Sequence, residues 1–367
     1  MRLDLKGKVL AALFAHWPSA SGARDGYTIL LPSPMDMPFL LQYALEGLRH
    51  MDTTHCNQIL VVPDGWSRDG GAALRHILES ADDPRLDMVD LRAWGTFMIR
   101  QLASSTHWMQ VIKGIGRSAS RYTFLHDADA FHLETNGIER QYSECRDRGL
   151  FTLGVTARWD PFFAEISYRI PGTWELMFST QWARSRPPHM LKGRLVKTHH
   201  GPNVFDTMLY PQYLDYSTGK IAVMAQPPRF VHFSNTIESY RQYNGQRGQR
   251  RQSVLDECFR LLLLAVLETL IPPAGGSRNT PTVDDLARGL KDSSAPVRYD
   301  SEVAVRGYGE FRGMLNELCE SPVFQGPRAE HLRELVAPFD RHFAEIAAAR
   351  GGSLGDPIRK FRSSALG

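Results

Sequence analysis

The chain is poor in cysteine. Cys56, Cys145, Cys258 and Cys319 are scattered over 367 residues, with no CxxC pair and no Cys/His grouping at zinc spacing. That argues against a disulfide framework and a structural zinc site, and leaves four reduced, small apolar side chains. Long hydrophobic runs are missing too. The longest, 261-LLLLAVLETLI-271, is broken by Glu268 and falls short of the roughly 20 residues a membrane span needs. The opening run 8-KVLAALFAHW-17 is short and no small-residue cleavage site follows it, which makes it a poor signal peptide. A soluble, cytoplasmic protein is expected. The formal charge is only +3, so the bulk composition asks for neither a nucleic-acid partner nor an anionic membrane. No GxGxxG or GxxxxGK[ST] loop is present, which counts against dinucleotide-binding and P-loop modes. There is no internal repeat and no long low-complexity tract.

What is there is 43% apolar content, enough for a proper core and more than one domain. From Gly26 the pattern alternates. A buried strand at 28-TILLP-32 precedes a helix over 36–51, with Asp36 near its N-cap, Pro38 in the first turn and Leu41, Leu45 and Leu48 on one stripe. A strand at 59-ILVVP-63, a helix over 71–80, a weaker strand at 87-DMVDL-91, a helical stretch ending near Lys113 and a strand at 122–125 follow. Strands alternating with helices predict an α/β fold, a mostly parallel sheet with helices on both faces. After Ser253 the texture turns helical. The run 254–271 is apolar nearly all round, 272–281 reads as a linker, Thr282 and Asp285 form a capping pattern, and 330–350 places Leu332, Val336, Phe339, Phe343 and Ile346 on one side. The expected division is an N-terminal helical extension (1–25), an α/β domain (26–240), and a basic loop with a helical C-terminal region (241–367).

In open α/β sheets ligands bind beyond the carboxyl ends of the strands, and there 121-RYTFLHDADAF-131 stops at two acids one residue apart. Residues i and i+2 of an extended segment point the same way, so Asp127 and Asp129 can address one divalent cation. Mg²⁺ and Mn²⁺ prefer oxygen ligands, completed by substrate phosphate and water. The competing reading is a sheet edge made soluble by two acids. At the end of the second strand, 63-PDGWS-67 makes a turn in which Asp64 can accept hydrogen bonds from a nucleobase or ribose and Gly65 lets a ligand come close.

The order 28-TILLP-32, 61-VVPDGWS-67, 113-KGIGRSASRYTFLHDADAF-131 resembles the GT-A glycosyltransferases, most of all their large inverting group. The resemblance covers roughly residues 26–235. Pro63 stands where that group has the first Asp of its turn, and Lys113 where it has Arg or Asn before the Gly. The resemblance implies a GT-A fold, a Rossmann-like mixed sheet, and a nucleotide-sugar donor. Its base meets Asp64 and its diphosphate is held by Asp127 and Asp129 through Mn²⁺ or Mg²⁺, with Pro32, Lys113, Arg117 and Ala128 around the donor. The segment 205-FDTMLYPQYLDYSTGKIAVM-224 is similar to the stretch that carries the family's catalytic base, which points to Asp206, although Phe205 replaces the usual Glu. Asp206 as the cap of the following helix is the alternative, and Glu175 is the rival base. His232, in 229-RFVHFSNTI-237, corresponds to the family's third metal ligand, or is a core histidine.

Acceptor candidates are Trp159, Trp174, His199 and His200, which can stack on a sugar face or accept from its hydroxyls, or simply belong to the core. In 241-RQYNGQRGQRRQ-252, Arg250 and Arg251 either close over the leaving diphosphate or lie in a solvated loop. The C-terminal helices offer a lid over the acceptor or a homodimer contact. The expectation is transfer of a sugar from a nucleotide-diphosphate donor to a small-molecule or glycan acceptor, at a hydroxyl or amine, inverting with Asp206 as base. The alternatives are a retaining transferase and a non-catalytic carbohydrate- or nucleotide-binding protein. A nucleotidyltransferase would show a Gly-rich basic loop after the first strand, and 32-PSPMDMPF-39 has no Gly, Lys or Arg.

Overall fold

The run 28-TILLP-32 is apolar from Ile29 to Pro32 because both faces of the strand it forms are covered. A computed structural model of the chain describes residues 9, 12, 17, 23–65, 68–89, 103–156, 170–198, 201–233, 236–243, 256–271, 281–291 and 301–349. Two compact units result: Met1–Ala130 with Glu134–Arg229, and Phe131–Leu133 with Phe230–Gly367. In chain order the elements begin with β1 (Arg24–Ser33), α1 (Pro38–Arg49), β2 (Cys56–Pro63), α2 (Arg68–Ala81), β3 (Leu86–Met88), α3 (Ala103–Arg117), β4 (Ser120–His126), β5 (Ala130–His132) and α4 (Gly137–Asp147). They continue with β6 (Thr152–Thr156), β7 (Pro171–Ser179), α5 (Thr180–Arg184), β8 (Arg194–Thr198), β9 (Gly201–Phe205), α6 (Leu209–Asp215) and β10 (Ile221–Val223). Last come β11 (Phe230–His232), α7 (Thr236–Tyr243), α8 (Asp256–Leu270), α9 (Val283–Arg288), α10 (Ser301–Leu318) and α11 (Pro327–Ala349).

The first unit is an α/β sheet in the order β10-β6-β7-β4-β1-β2-β3. β4, β1, β2 and β3 pair in parallel, as do β6 and β10. β7 lies antiparallel between β4 and β6. Successive β1 side chains go to opposite faces. Ile29 and Leu31 join Leu41, Leu45, Val61, Leu74, Phe124 and Tyr142, whereas Leu30 joins Leu60, Trp108, Val111, Ile112, Ile115 and Leu125. Burying each such side chain contributes about 1.5–3 kcal/mol. At α1, Pro38 occupies the first turn, where its missing N–H is no loss, but the N-cap place falls to Met37, which makes no side-chain cap; Asp36 precedes it.

α3 is fixed along its length. At Gly114 it lies against β1 so closely that a Cβ would fall 2.0 Å from Leu30 Cδ1. Gln110 Nε2 donates to Val62 O at 2.7 Å, and Trp108 Nε1 to Pro188 O at 2.9 Å. At its far end Arg184 donates to Ile115 O (2.7 Å) and Ser118 O (2.6 Å), placing a cation on the last carbonyls.

In the second unit β5 and β11 form a two-stranded sheet. α8 is buried from Leu261 to Leu267, as its all-round apolar sequence requires. Leu332, Val336, Phe339 and Phe343 of α11 are buried as the helical stripe predicts, and Phe343 stacks on Tyr308 at 4.5 Å. The capping box is present, with Asp285 N–H donating to Thr282 Oγ1 and Thr282 N–H to Asp285 Oδ2, both at 3.0 Å. Thr282→Ala is expected to lower stability by about 1 kcal/mol in urea titration. Among the described residues no helix is long and apolar enough to cross a membrane.

Candidate active site

The parallel strands β1, β2 and β4 end together, at Ser33, Pro63 and His126. Asp64 joins the first two tips. Its N–H donates to Ser33 O at 3.0 Å, and its Oδ1 accepts from Met35 N–H at 3.0 Å. Asp64 is thus a buried carboxylate fixed at the β1–β2 edge of the crevice. Pro32 is buried in β1, paired with Val62.

Beyond β4 the chain turns at once. Asp127 N–H donates to Trp174 O at 3.1 Å and Ala130 N–H to Asp127 O at 3.0 Å, which sets Asp127, Ala128 and Asp129 on a tight bend. Ala128 is buried, Asp127 half-buried and Asp129 only 6% exposed. Carboxylate oxygens of Asp127 and Asp129 lie within 4.8 Å of each other. Two like charges held this close are costly unless a cation or hydrogen-bond donors offset them.

His126, one residue earlier, faces inward. Its Nδ1–H donates to Glu175 Oε1 across the β4–β7 ladder, where the two residues are register partners. The Glu175 side chain is 0% exposed. Gln141 Nε2 donates to the Glu175 carbonyl at 3.2 Å and to Leu153 O at 2.7 Å. Glu175 is therefore sealed inside the sheet. Its neighbour Trp174 is likewise buried in β7, at 5% exposure.

Asp206 is exposed and directly follows β9. Its Oδ1 accepts from its neighbour Thr207 N–H at 2.7 Å. The capping alternative does not appear: the N-cap of α6 is Met208, at a left-handed φ of 67°, with no side-chain cap. A non-glycine residue in that region is strained, and such residues cluster at functional sites. Phe205 anchors the segment from below, buried against Tyr210 and Tyr213 with ring centroids 5.5 and 5.2 Å away.

The residue that sequence reasoning missed is His107, near the start of α3. Its Nε2 lies 3.7 Å from Asp127 Oδ1. Burial pushes the imidazole below its ordinary value, while the charges of Asp206 and Asp129 pull it back up. His107 therefore lies in one electrostatic neighbourhood with all three acids. The available signal was helical register: His107, Gln110 and Gly114 fall on one stripe, and Gln110 and Gly114 face the sheet.

The other candidates are placed as follows. Lys113 is half-buried two turns along α3 from His107, and burial pushes its amine down. Arg117 ends the helix, about 15 Å along its axis from His107, and faces Asp87 at 3.7 Å. His232 ends β11 in the second unit and is half-buried. Trp159, His199, His200, Arg250 and Arg251 lie outside the described residues.

No protein-family model matches the chain, and no curated protein is found similar to it. Among solved structures it is similar to a mannosyltransferase from Pyrobaculum calidifontis in complex with GDP-Man and Mn²⁺, at 11% identity and a TM-score of 0.40 over 98% of this chain and 89% of that one. It is similar to glucosyl-3-phosphoglycerate synthase from Mycobacterium tuberculosis with Mn²⁺, UDP and glucosyl-3-phosphoglycerate, at 11% identity and a TM-score of 0.38 over 57% and 75% of the two chains. S. aureus TarS in complex with UDP-GlcNAc gives 12% identity and a TM-score of 0.35 over 88% and 83%. Likeness at this level does not carry an activity across, and the function has to be argued from the chain's own residues.

Proposed function

We propose that this chain is a glycosyltransferase that uses a divalent cation and moves a sugar from a nucleotide-diphosphate donor to an acceptor hydroxyl or amine. The observation that carries the reading is the convergence at the strand tips: Asp127 and Asp129 on one bend after β4, with exposed Asp206 in the same electrostatic neighbourhood. The donor set suits the ion. Paired carboxylates are the hard oxygen ligands that Mg²⁺ and Mn²⁺ take, and their mutual repulsion is what a cation relieves. Asp127 and Asp129 hold it, with His232 assigned the third ligand place on the family resemblance. When bound, the cation neutralises charge on the departing diphosphate.

The remaining roles belong to the chain. Asp64, fixed between β1 and β2, orients the donor's base. Arg250 and Arg251 are assigned to the diphosphate. Asp206 accepts the proton from the acceptor as it attacks the anomeric carbon on the face opposite the departing nucleotide, which makes the transfer inverting. Glu175 is left out of the chemistry, because a sealed carboxylate bound to His126 does not meet an acceptor.

The reading is tested by thermal shift with UDP and GDP, with and without Mn²⁺. A nucleotide at about a hundred times its dissociation constant stabilises the native state by about 2.7 kcal/mol. Wild type should show a Mn²⁺-dependent rise in melting temperature, and Asp129→Asn, which keeps the side-chain shape, should lose it. Equal shifts in both proteins would return the two acids to a solubilised sheet edge.

A further inference from the structure

We propose that His107 is a positioning residue for the cation-holding acids, its Nε2–H donating to the Asp127 carboxylate and fixing the orientation in which that carboxylate meets the ion. This rests on the reading of Asp127 and Asp129 as the cation's ligands and adds a residue that neither motif nor resemblance supplies.

Three observations converge on it. The Nε2 atom is closed off from solvent and makes no hydrogen bond among the described residues. A buried donor left in that state costs about 1–3 kcal/mol, so a partner is expected when the site is in use. Among the described residues its ion-pair neighbour is Asp127 Oδ1 at 3.7 Å, just beyond hydrogen-bond length. Asp127 is half-buried and closes the gap by a small rotation of its own side chain. Finally, the mount is stiff. α3 is held by Gly114 against Leu30, by Gln110 on Val62 O, by Trp108 on Pro188 O and by Arg184 at its far end, so His107 is the fixed member of the pair.

The chemistry suits a donor at this point. Asp129 and Asp206 are the other charged groups acting on the imidazole, and all three neighbours are carboxylates. A cation draws on Asp127 from one side, and an N–H on the other side restricts the carboxylate to one rotation. Partners of this kind behind a metal ligand are worth about 10–100-fold in metal affinity.

The test is a Mn²⁺ titration of the full chain followed by electron paramagnetic resonance, without nucleotide, on wild type and on H107Q, H107N and H107L. A Gln amide nitrogen reaches the place of Nε2, an Asn amide that of Nδ1, and Leu offers no donor. H107L and H107N are expected to bind Mn²⁺ about 10–100-fold more weakly, with H107Q staying near wild type. In an Asp127→Asn background, H107L should add no further loss. Circular dichroism melts in the absence of metal give the fold of each variant. Equal Mn²⁺ affinity in H107Q and H107N, or in wild type and H107L, overturns the donor role while leaving the cation reading in place. Loss of fold in both amide variants assigns His107 to packing and overturns it as well. A wild type that binds no Mn²⁺ removes the cation reading itself and His107's role with it.

Discussion

Asp206→Asn lowers turnover by about 10²–10⁴-fold, the usual contribution of a general base, while the protein stays folded and binds its donor. The structure makes this variant a clean one. The wild-type carboxylate accepts one short-range bond, from Thr207 N–H at 2.7 Å, and an Asn carbonyl oxygen accepts the same bond. The turn into α6 is formed by main-chain contacts, Leu209 N–H to Asp206 O at 3.1 Å and Met208 N–H to Leu191 O at 2.8 Å, which the substitution leaves alone. What Asn cannot do is take a proton from an acceptor. Initial rates against both substrates, with donor affinity measured separately, give the split. Proton NMR of fresh product gives the second readout, because a single displacement assisted by Asp206 must invert the anomeric configuration. Retention would remove Asp206 as the base and move the chain to the retaining class.

Glu175→Leu destabilises the chain by about 1–3 kcal/mol, the expected cost of leaving a buried hydrogen-bonding group without its partner. The His126 side chain is 3% exposed and faces Glu175 across β4 and β7, so the substitution removes the carboxylate from a buried imidazole. The double variant His126→Phe with Glu175→Leu replaces both partners by apolar groups, and it should recover most of the loss, since it removes the unpaired group as well as the pair. Urea titration of the two single variants and the double variant measures the coupling. Activity loss in Glu175→Leu should track the unfolded fraction, whereas in Asp206→Asn it should not. An active, fully stable Glu175→Leu would show that the pair is dispensable.

These two residues also show how far the sequence could be read. The strands β1, β2 and β4 were legible because strands buried on both faces are nearly continuous apolar runs, a pattern that local composition reveals directly. The acids at the tip of β4 were legible for the same reason: they stand where the apolar run stops. β7 was not recognised. Its segment 171-PGTWELMFS-179 carries Trp174, which reads as an acceptor contact or as core, and Glu175, which reads as the rival base, and it forms a buried strand. The reason is that Glu175 is satisfied by His126, 49 positions away, and no local pattern records a partner at that range. His107 was hidden for a related reason. A single histidine inside a helix has no motif, and its meaning comes from the packing of α3 on β1. At α1 the N-cap falls on Met37, one residue past the Asp36 that the sequence suggests, a shift at the level where helix boundaries are least determined by sequence.

The second unit takes one of its strands from upstream, Phe131–Leu133, while the rest of it begins at Phe230. No single cut of the gene therefore separates the two units. A fragment starting at Phe230 would carry β11 without its ladder partner β5, exposing a strand edge of the kind that pairs with foreign chains and aggregates. A fragment ending at Arg229 would carry β5 with nothing to pair it. Pairing across so long an interval also raises the contact order of the second unit, so its ribbon is expected to form late in folding. Expression of either half alone is accordingly a poor route to a well-behaved sample.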